Sequence, residues 1–337
     1  MAAPIGLIAN PASGKDVRRL VAHASTFDNA EKANIIRRVL LGALAAGAER
    51  FLYMPDDHGL VPGALTSLPA VPSCEPVAIP FAAAALDSER AAAAMREAGC
   101  AVVVTLGGDG TNRTVARGWR DAPLIAISTG TNNVFPDMLE GTVAGAAAGL
   151  IAAGAVALEQ VARPAKRIAL QIEGEEDDLA LIDAALLDGA FTGSRALWDL
   201  SGLRSALLAR AEPAATGISA IGGLIEPLAA CEDAALWLEA GAAAGGLRVR
   251  APVAPGRYEE IAVRSVRRLG LGEAVELRGS GLIALDGERE RRLRTGQAAR
   301  LCVLRDGPRV VDVGRTLTLA ARNGAFRVGG APVAHAG

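Results

Sequence analysis

AVVVTLGGDGTNRTVARGW, residues 101–119, is the stretch from which the rest of the chain can be read. Ala101–Leu106 is an unbroken run of small and β-branched apolar residues, the composition of a strand buried on both faces. It leads into Gly107-Gly108-Asp109-Gly110-Thr111, and a helix is predicted to begin immediately afterwards. Glycines tolerate positive φ and allow a ligand to approach the main chain closely. The exposed amides of such a turn, backed by a helix N-terminus, attract phosphate. Asp109 is placed to meet a hydroxyl nucleophile or a phosphate-bound Mg²⁺. A plain strand-to-helix turn capped by Asp109 is the competing account of the same residues.

The alternation of strand and helix continues on both sides of this turn. Residues 4–9 read as a strand, 30–47 as a helix with Ile35, Ile36, Val39, Leu40 and Ala43 on one face, and 50–54 and 75–79 as strands. A helix over 87–98 precedes the central strand, and a strand at 123–127 follows its helix. Such a rhythm predicts a parallel sheet with helices on both faces. Past residue 160 the pattern changes to short strands at 166–173, 179–187, 246–251, 260–268, 274–278, 281–285 and 298–304, with a Leu- and Ala-rich helix over 195–210. The fold class expected is therefore α/β: an N-terminal open, mostly parallel sheet flanked by helices (residues 1–155), then an antiparallel β-rich second domain (160–337) whose C-terminal segment returns to the first.

Composition narrows the function. In 337 residues, 51% are hydrophobic and only 3% aromatic, so the cores must be filled by Ala, Leu, Val and Ile. A formal net charge of -2 argues against nucleic-acid binding. Cys74, Cys100, Cys231 and Cys302 are scattered, with no CxxC pair and no secretory signal before them. Reduced thiols and a cytoplasmic protein are the expectation. His23, His58 and His335 lack metal-ligand spacing, and a structural zinc site is not expected. Residues 141–158, GTVAGAAAGLIAAGAVAL, carry no charge, but Ala and Gly are weakly lipophilic; a packed helix closing the first domain is the better reading, with no membrane insertion.

Two further polar loops follow predicted strands. Asn10-Pro-Ala-Ser13-Gly14-Lys15 is not a Walker A loop, since Asp16 follows the lysine. Ser128-Thr-Gly130-Thr131-Asn132-Asn133 has the small polar side chains of a ligand crevice at a sheet edge. Three such loops at the ends of parallel strands would converge on one edge.

The combination NPASGKD, FDNAEKAN, YMPDDHG, GGDGTNRTVA and STGTNNVFP resembles the superfamily uniting ATP–NAD kinases with diacylglycerol and sphingosine kinases, and most of all its AcoX branch, associated with acetoin catabolism genes. The resemblance implies an ATP-dependent kinase that uses Mg²⁺ and phosphorylates the 2′-hydroxyl of NAD. Its alternatives are a lipid kinase and a nucleotide-binding regulator without turnover. It places the catalytic aspartate at Asp109 and nucleotide contacts at Asn10, Ser13, Gly14, Lys15, Gly107, Gly108, Gly110, Thr111, Asn112, Gly130, Thr131, Asn132 and Asn133. It also implies small-molecule nucleotide partners and a homo-oligomer. In the second half, Thr216–Pro227 faintly resembles a dinucleotide motif, which points to Gly217 and Ser219. Asp286-Gly287-Glu288 resembles the lipid-kinase element whose Asp is the base, and is otherwise a turn between strands. The run Arg289, Arg291, Arg292 and Arg294 reads as facing anionic lipid or as a solvated strand. Lipid kinases carry Asn-Glu after the glycine turn; this chain has Asn112-Arg113.

Overall fold

The computed structural model describes residues 2–14, 27–130, 132–189, 200–242 and 246–328. Five parallel strands form the body of the first, seven-stranded sheet: β1 (Ile5–Ala9), β2 (Arg50–Tyr53), β3 (Ser73–Pro76), β4 (Val102–Gly107) and β5 (Pro123–Ser128). Each is parallel to its neighbours in the order β3-β2-β1-β4-β5. β1, β4 and β5 are buried along their whole length, which is why each is an unbroken apolar run. The strand order reverses between β1 and β4, and open α/β sheets bind ligands outside the strand ends at such a reversal. Ala9 lies opposite Leu106 and Gly107 opposite Ser128, so the loops after β1, β4 and β5 leave the same edge at nearly the same height.

Helices cover both faces: α1 (Asn29–Ala45), α2 (Leu60–Leu65), α3 (Ala85–Glu97), α4 (Asp109–Gly118) and α5 (Gly141–Ala152). Ile36, Val39 and Leu40 of α1 pack with Ile5, Leu7 and Val104 on one face. Ala92 and Met95 of α3 and Val115 of α4 pack with Ile8, Val103 and Leu124 on the other. The uncharged α5 lies directly on α1. A Cβ on Gly145 would stand 2.0 Å from the Val39 carbonyl oxygen, and one on Gly149 2.5 Å from that of Ala43. The two main chains thus touch, and small residues are required by that contact. No helix among the described residues is long and apolar enough to cross a membrane.

The second half holds two antiparallel sheets. The larger runs β12 (Leu247–Ala254), β13 (Arg257–Gly270), β11 (Ala234–Ala240), β10 (Leu203–Leu208), β9 (Asp183–Leu187), β15 (Gly281–Leu285), β16 (Glu288–Leu293). The smaller runs β14 (Ala274–Arg278), β17 (Ala298–Leu304), β7 (Arg167–Ile172), β8 (Asp178–Ala180). Ile168, Leu170, Leu186, Leu207, Ile283 and Leu301 fill the space between them. Leu179, Leu181 and Ile182 join the first domain's core and seal the seam.

The helix expected over 195–210 is corrected. Residues 203–208 are β10, and 190–199 lie outside the described residues. Because β10 is a central strand between β9 and β11, buried on both faces, its Leu-Ala run has no alternation to separate it from a buried helix. The strand expected over 179–187 is divided into β8 and β9 by a bend at Leu181–Ile182. Strands at 162–164, 234–240 and 309–311 were not anticipated, whereas 288–293 fits the solvated-strand reading of the arginine run. β18 (Arg309–Val311) pairs parallel with β5 and antiparallel with β6 (Ala162–Pro164), so the chain returns to the first sheet. Asp312 then caps α6 (Val313–Arg322), accepting from the Arg315 amide at 2.8 Å.

The α1–α5 contact generates a stability test. Gly145→Ala should lower the urea midpoint by the equivalent of about 1–3 kcal/mol, the usual range for overpacking. Gly63→Ala, where nothing lies within 4 Å of the new methyl, should raise it by up to about 1 kcal/mol through helix propensity. Equal responses at the two sites would mean the helices do not touch as described.

Candidate active site

The three polar loops are tied to each other as well as to their own strands. Asn10 donates from Nδ2 to Thr111 Oγ1 at 2.9 Å, and Ser13 Oγ and Thr129 Oγ1 share a hydrogen bond of 2.8 Å. Gly14 has φ of +66° and lies against Thr129; a Cβ would come 2.5 Å from its carbonyl oxygen. Beneath the first loop is a buried cation, Lys32 of α1. Its Nζ donates to the carbonyl oxygens of Asn10 (3.0 Å), Pro11 (3.0 Å) and Ser13 (2.7 Å). Asn112 is fully buried, accepts from Thr105 Oγ1 at 2.8 Å and donates to the Gly108 carbonyl at 2.9 Å. It therefore shapes the turn from behind. Asn133 donates to Ser128 Oγ at 2.9 Å, and its Oδ1 fills the space a Cβ on Gly108 would need.

Asp109 opens α4 at the mouth of the cleft. Its Oδ1 accepts from the amides of Val134 (3.0 Å) and Phe135 (2.7 Å), and its Oδ2 from Val134 (3.1 Å). The second domain grips the same segment from the other side. Arg210, just past β10, donates to the Val134 carbonyl at 3.2 Å and lies 5.1 Å from the Phe135 ring centroid. Burial pushes the Arg210 guanidinium below its ordinary value, partly offset by Glu212, Asp109, Asp137 and Asp286.

Asp286 faces Asp109 across the cleft. It occupies the turn between β15 and β16 with φ of +50°, its side chain fully buried. The bend between β8 and β9 turns three amides toward it. Oδ1 accepts from Leu181 (3.0 Å), Ile182 (2.8 Å) and Asp183 (3.2 Å), and Oδ2 from Leu181 (2.9 Å). Burial pushes this carboxyl up to about 6, against the lowering effect of Arg113 and the amides. Arg113 of α4 lies 4.0 Å from Asp286 Oδ2. Glu288 of β16 closes on the glycine turn, 3.0 Å from where a Cβ on Gly110 would be.

The cleft is lined by Asp109, Asn132 and Val134 of the first domain. Asp183, Thr216, Gly217, Val253 and Asp286 line it from the second. Asn132 Oδ1 and Thr216 Oγ1 are buried there without a hydrogen-bond partner among the described residues. Of the residues singled out from the sequence, Asp109, Asn132, Gly217 and Asp286 line the cleft itself. Asn10, Ser13, Gly14, Gly107, Gly108, Gly110, Thr111, Asn112, Gly130 and Asn133 form the adjoining loop edge. Ser219 instead holds the end of β10, donating to the Arg210 carbonyl and accepting from the Glu212 amide, both at 3.2 Å. Lys15 and Thr131 lie outside the described residues.

Residues 5–155 match the ATP-NAD kinase N-terminal domain, and residues 166–306 match the acetoin catabolism protein X C-terminal domain. Acetoin catabolism protein X of Cupriavidus necator is 39% identical over 302 residues, which covers 85% of this chain and 83% of that protein. The chain belongs to the acetoin catabolism protein X family. Among solved structures, yeast NADH kinase complexed with NADH aligns over 99% of this chain and 90% of its own, at 13% identity and a TM-score of 0.48. A candidate diacylglycerol kinase from Bacillus anthracis aligns over 92% of this chain and 98% of its own, at 13% identity and a TM-score of 0.44.

Four residues of this acetoin catabolism protein X family member were not anticipated as parts of the site: Lys32, Arg113, Arg210 and Asp183. The rarity of lysine was the available signal for Lys32, one of three in the chain, and the Asn-Arg departure was the signal for Arg113. Nothing local marks Arg210 or Asp183. Lys32→Met should leave the three loop carbonyls without their cation and lower unfolding free energy by about 2–3 kcal/mol, as for hydrogen bonds to charged groups. Chemical denaturation at pH 7 measures it; a change within about 0.5 kcal/mol would show that the loop does not depend on this side chain.

Proposed function

We propose that this protein transfers a phosphoryl group from a nucleoside triphosphate to a hydroxyl of a small molecule, with the 2′-hydroxyl of NAD the first candidate acceptor. One observation carries the reading: two carboxylates from different domains, Asp109 and Asp286, line one cleft where the strand order reverses and the glycine turn opens. Phosphoryl transfer asks the protein mainly for positioning and charge stabilisation. The turn at 107–111 and the loops at 10–14 and 128–133 supply the phosphate side. Asp109 orients the acceptor hydroxyl beside that turn, as the motif implies.

Asp286 Oδ2 then receives the hydroxyl proton. Oδ1 already accepts three amides, whereas Oδ2 accepts one and retains lone-pair capacity. A value of about 6 suits a base working near neutral pH. Phosphoryl transfer of this kind would draw on Mg²⁺ to neutralise charge on the donor's phosphates. Among the described residues no group of three or more His, Cys, Asp or Glu is placed to hold a metal ion, and most of the Asp109 and Asp286 lone pairs are occupied by amides. The described residues therefore build no cage for Mg²⁺. Arg291 is tied to Asp178 at 3.1 Å and to Glu175 at 3.7 Å, so this member of the arginine run is paired within the protein.

Purified protein incubated with ATP, Mg²⁺ and NAD should form NADP, followed by a coupled dehydrogenase assay. Asp109→Asn and Asp286→Asn should each reduce turnover at least about 100-fold while leaving the fold intact by circular dichroism. The base is active when deprotonated, so kcat/KM should rise through an apparent pKa near 6, and Asp286→Asn should abolish that limb. Nucleotide binding without turnover on NAD or any other alcohol tested would overturn the reading in favour of a regulator.

A further inference from the structure

Arg113 is the residue at which this chain departs from the Asn-Glu of lipid kinases, and the structure gives the departure a use. Its side chain is 4% exposed and crosses from α4 into the second domain. There it meets Asp178 Oδ1 at 3.7 Å, Asp286 Oδ2 at 4.0 Å and Glu288 Oε2 at 4.0 Å. The three carboxylates do not depend on it equally. Asp178 also has Arg291 at 3.1 Å and Arg117 at 3.8 Å, and Glu288 is 36% exposed and so reachable by water. Asp286 is fully buried. The charged groups around it are Arg113 and Asp109 of α4, Asp183 of β9, Arg210 after β10, and Glu288 two residues on. That is two cations among four carboxylates with Asp286 included, and Arg113 is the one that lies 4.0 Å from Oδ2.

A guanidinium remains charged at any working pH, whereas a buried carboxylate stays charged only with an opposite charge or donors beside it. We propose that Arg113 is the positioning residue for Asp286: from the helix behind the glycine turn, its guanidinium supplies the buried positive charge that keeps this carboxylate ionised, with the remaining lone-pair capacity of Oδ2 left for the acceptor proton. The inference rests on the phosphotransfer reading for its purpose but not for its test. It also makes the base depend on the seam, because the counterion sits on one domain and the carboxylate on the other. Among influences opposing the burial of Asp286, Arg113 is the largest.

The experiment is a carboxyl ¹³C NMR titration of the full-length protein, with the Asp286 resonance assigned through Asp286→Asn. Arg113→Gln should raise the Asp286 midpoint by one pH unit or more, and Arg113→Lys should return part of that shift. Arg113→Met, with a stem of similar bulk, carries the same test if the Gln variant does not fold. An unmoved midpoint overturns the proposal whatever the activity. In the turnover assay the acid limb of kcat/KM should move up by the same amount, with a loss at pH 7 of about twofold for a one-unit shift and about tenfold for a two-unit shift, which alkaline buffer recovers. A shifted midpoint in a protein with no phosphotransfer would uphold Arg113 and sink the kinase reading alone. A general activity loss with the limb in place would mark Arg113 as merely structural and overturn the proposal.

Discussion

The bond between the Asp109 carboxylate and the amides of Val134 and Phe135 is the constraint on which the site depends. It ties the helix after β4 to the loop after β5, so the spacing of two strand-end loops is set by one side chain. Arg210 then takes the carbonyl of Val134 and lies over the Phe135 ring, which fixes the second domain to that same loop. A carboxylate, a two-residue main-chain segment and a guanidinium thus form a stack through the seam. Hydrogen bonds to ionised groups are roughly twice as strong as neutral ones, and they weaken little in a site screened from water. These contacts set the width of the cleft beside the apolar seam of Leu179, Leu181 and Ile182.

That arrangement also accounts for the glycines. At Gly108 and Gly110 the space a Cβ would occupy is taken by Asn133 and Glu288, one from each side of the seam. The absence of side chains therefore allows the β5 loop and the second domain to close on the turn. The same residues leave amides exposed at the start of α4, where a phosphate is favoured. Packing and ligand binding ask for the same residue type here, so the motif alone could not separate the two accounts.

Much of the architecture was legible from local pattern. β1, β4 and β5 were evident as apolar runs, and β14, β15 and β17 were bounded exactly by their Gly and polar turns. β10 was misread because a central strand buried on both faces shows no alternation. β18 escaped because three residues carry no periodicity; its place beside β5 is decided by tertiary pairing. The site divides in the same way. Asp109 and Asp286, which both line the cleft, were singled out because each sits in a glycine-bearing turn. Arg210 and Asp183 were missed because their neighbours at the site are remote in sequence.

Asp286 shows why the second domain has to be broken where it is. A continuous strand through residues 178–187 would commit the amides of Leu181 and Ile182 to a ladder. The bend between β8 and β9 releases them, and with the Asp183 amide they converge on Asp286 Oδ1. Four amide bonds alone would hold a carboxylate strongly ionised and make it a poor base. Complete burial works in the opposite direction and prevails, leaving the group near 6. Neither influence would suffice singly: an exposed Asp with these donors would bind protons too weakly, and a buried Asp without them would remain protonated at neutral pH. The irregular turn, with Asp286 at positive φ, is what lets both act on one side chain. The strain of that backbone is of order 1 kcal/mol or somewhat more, small beside the desolvation and hydrogen-bond energies it arranges.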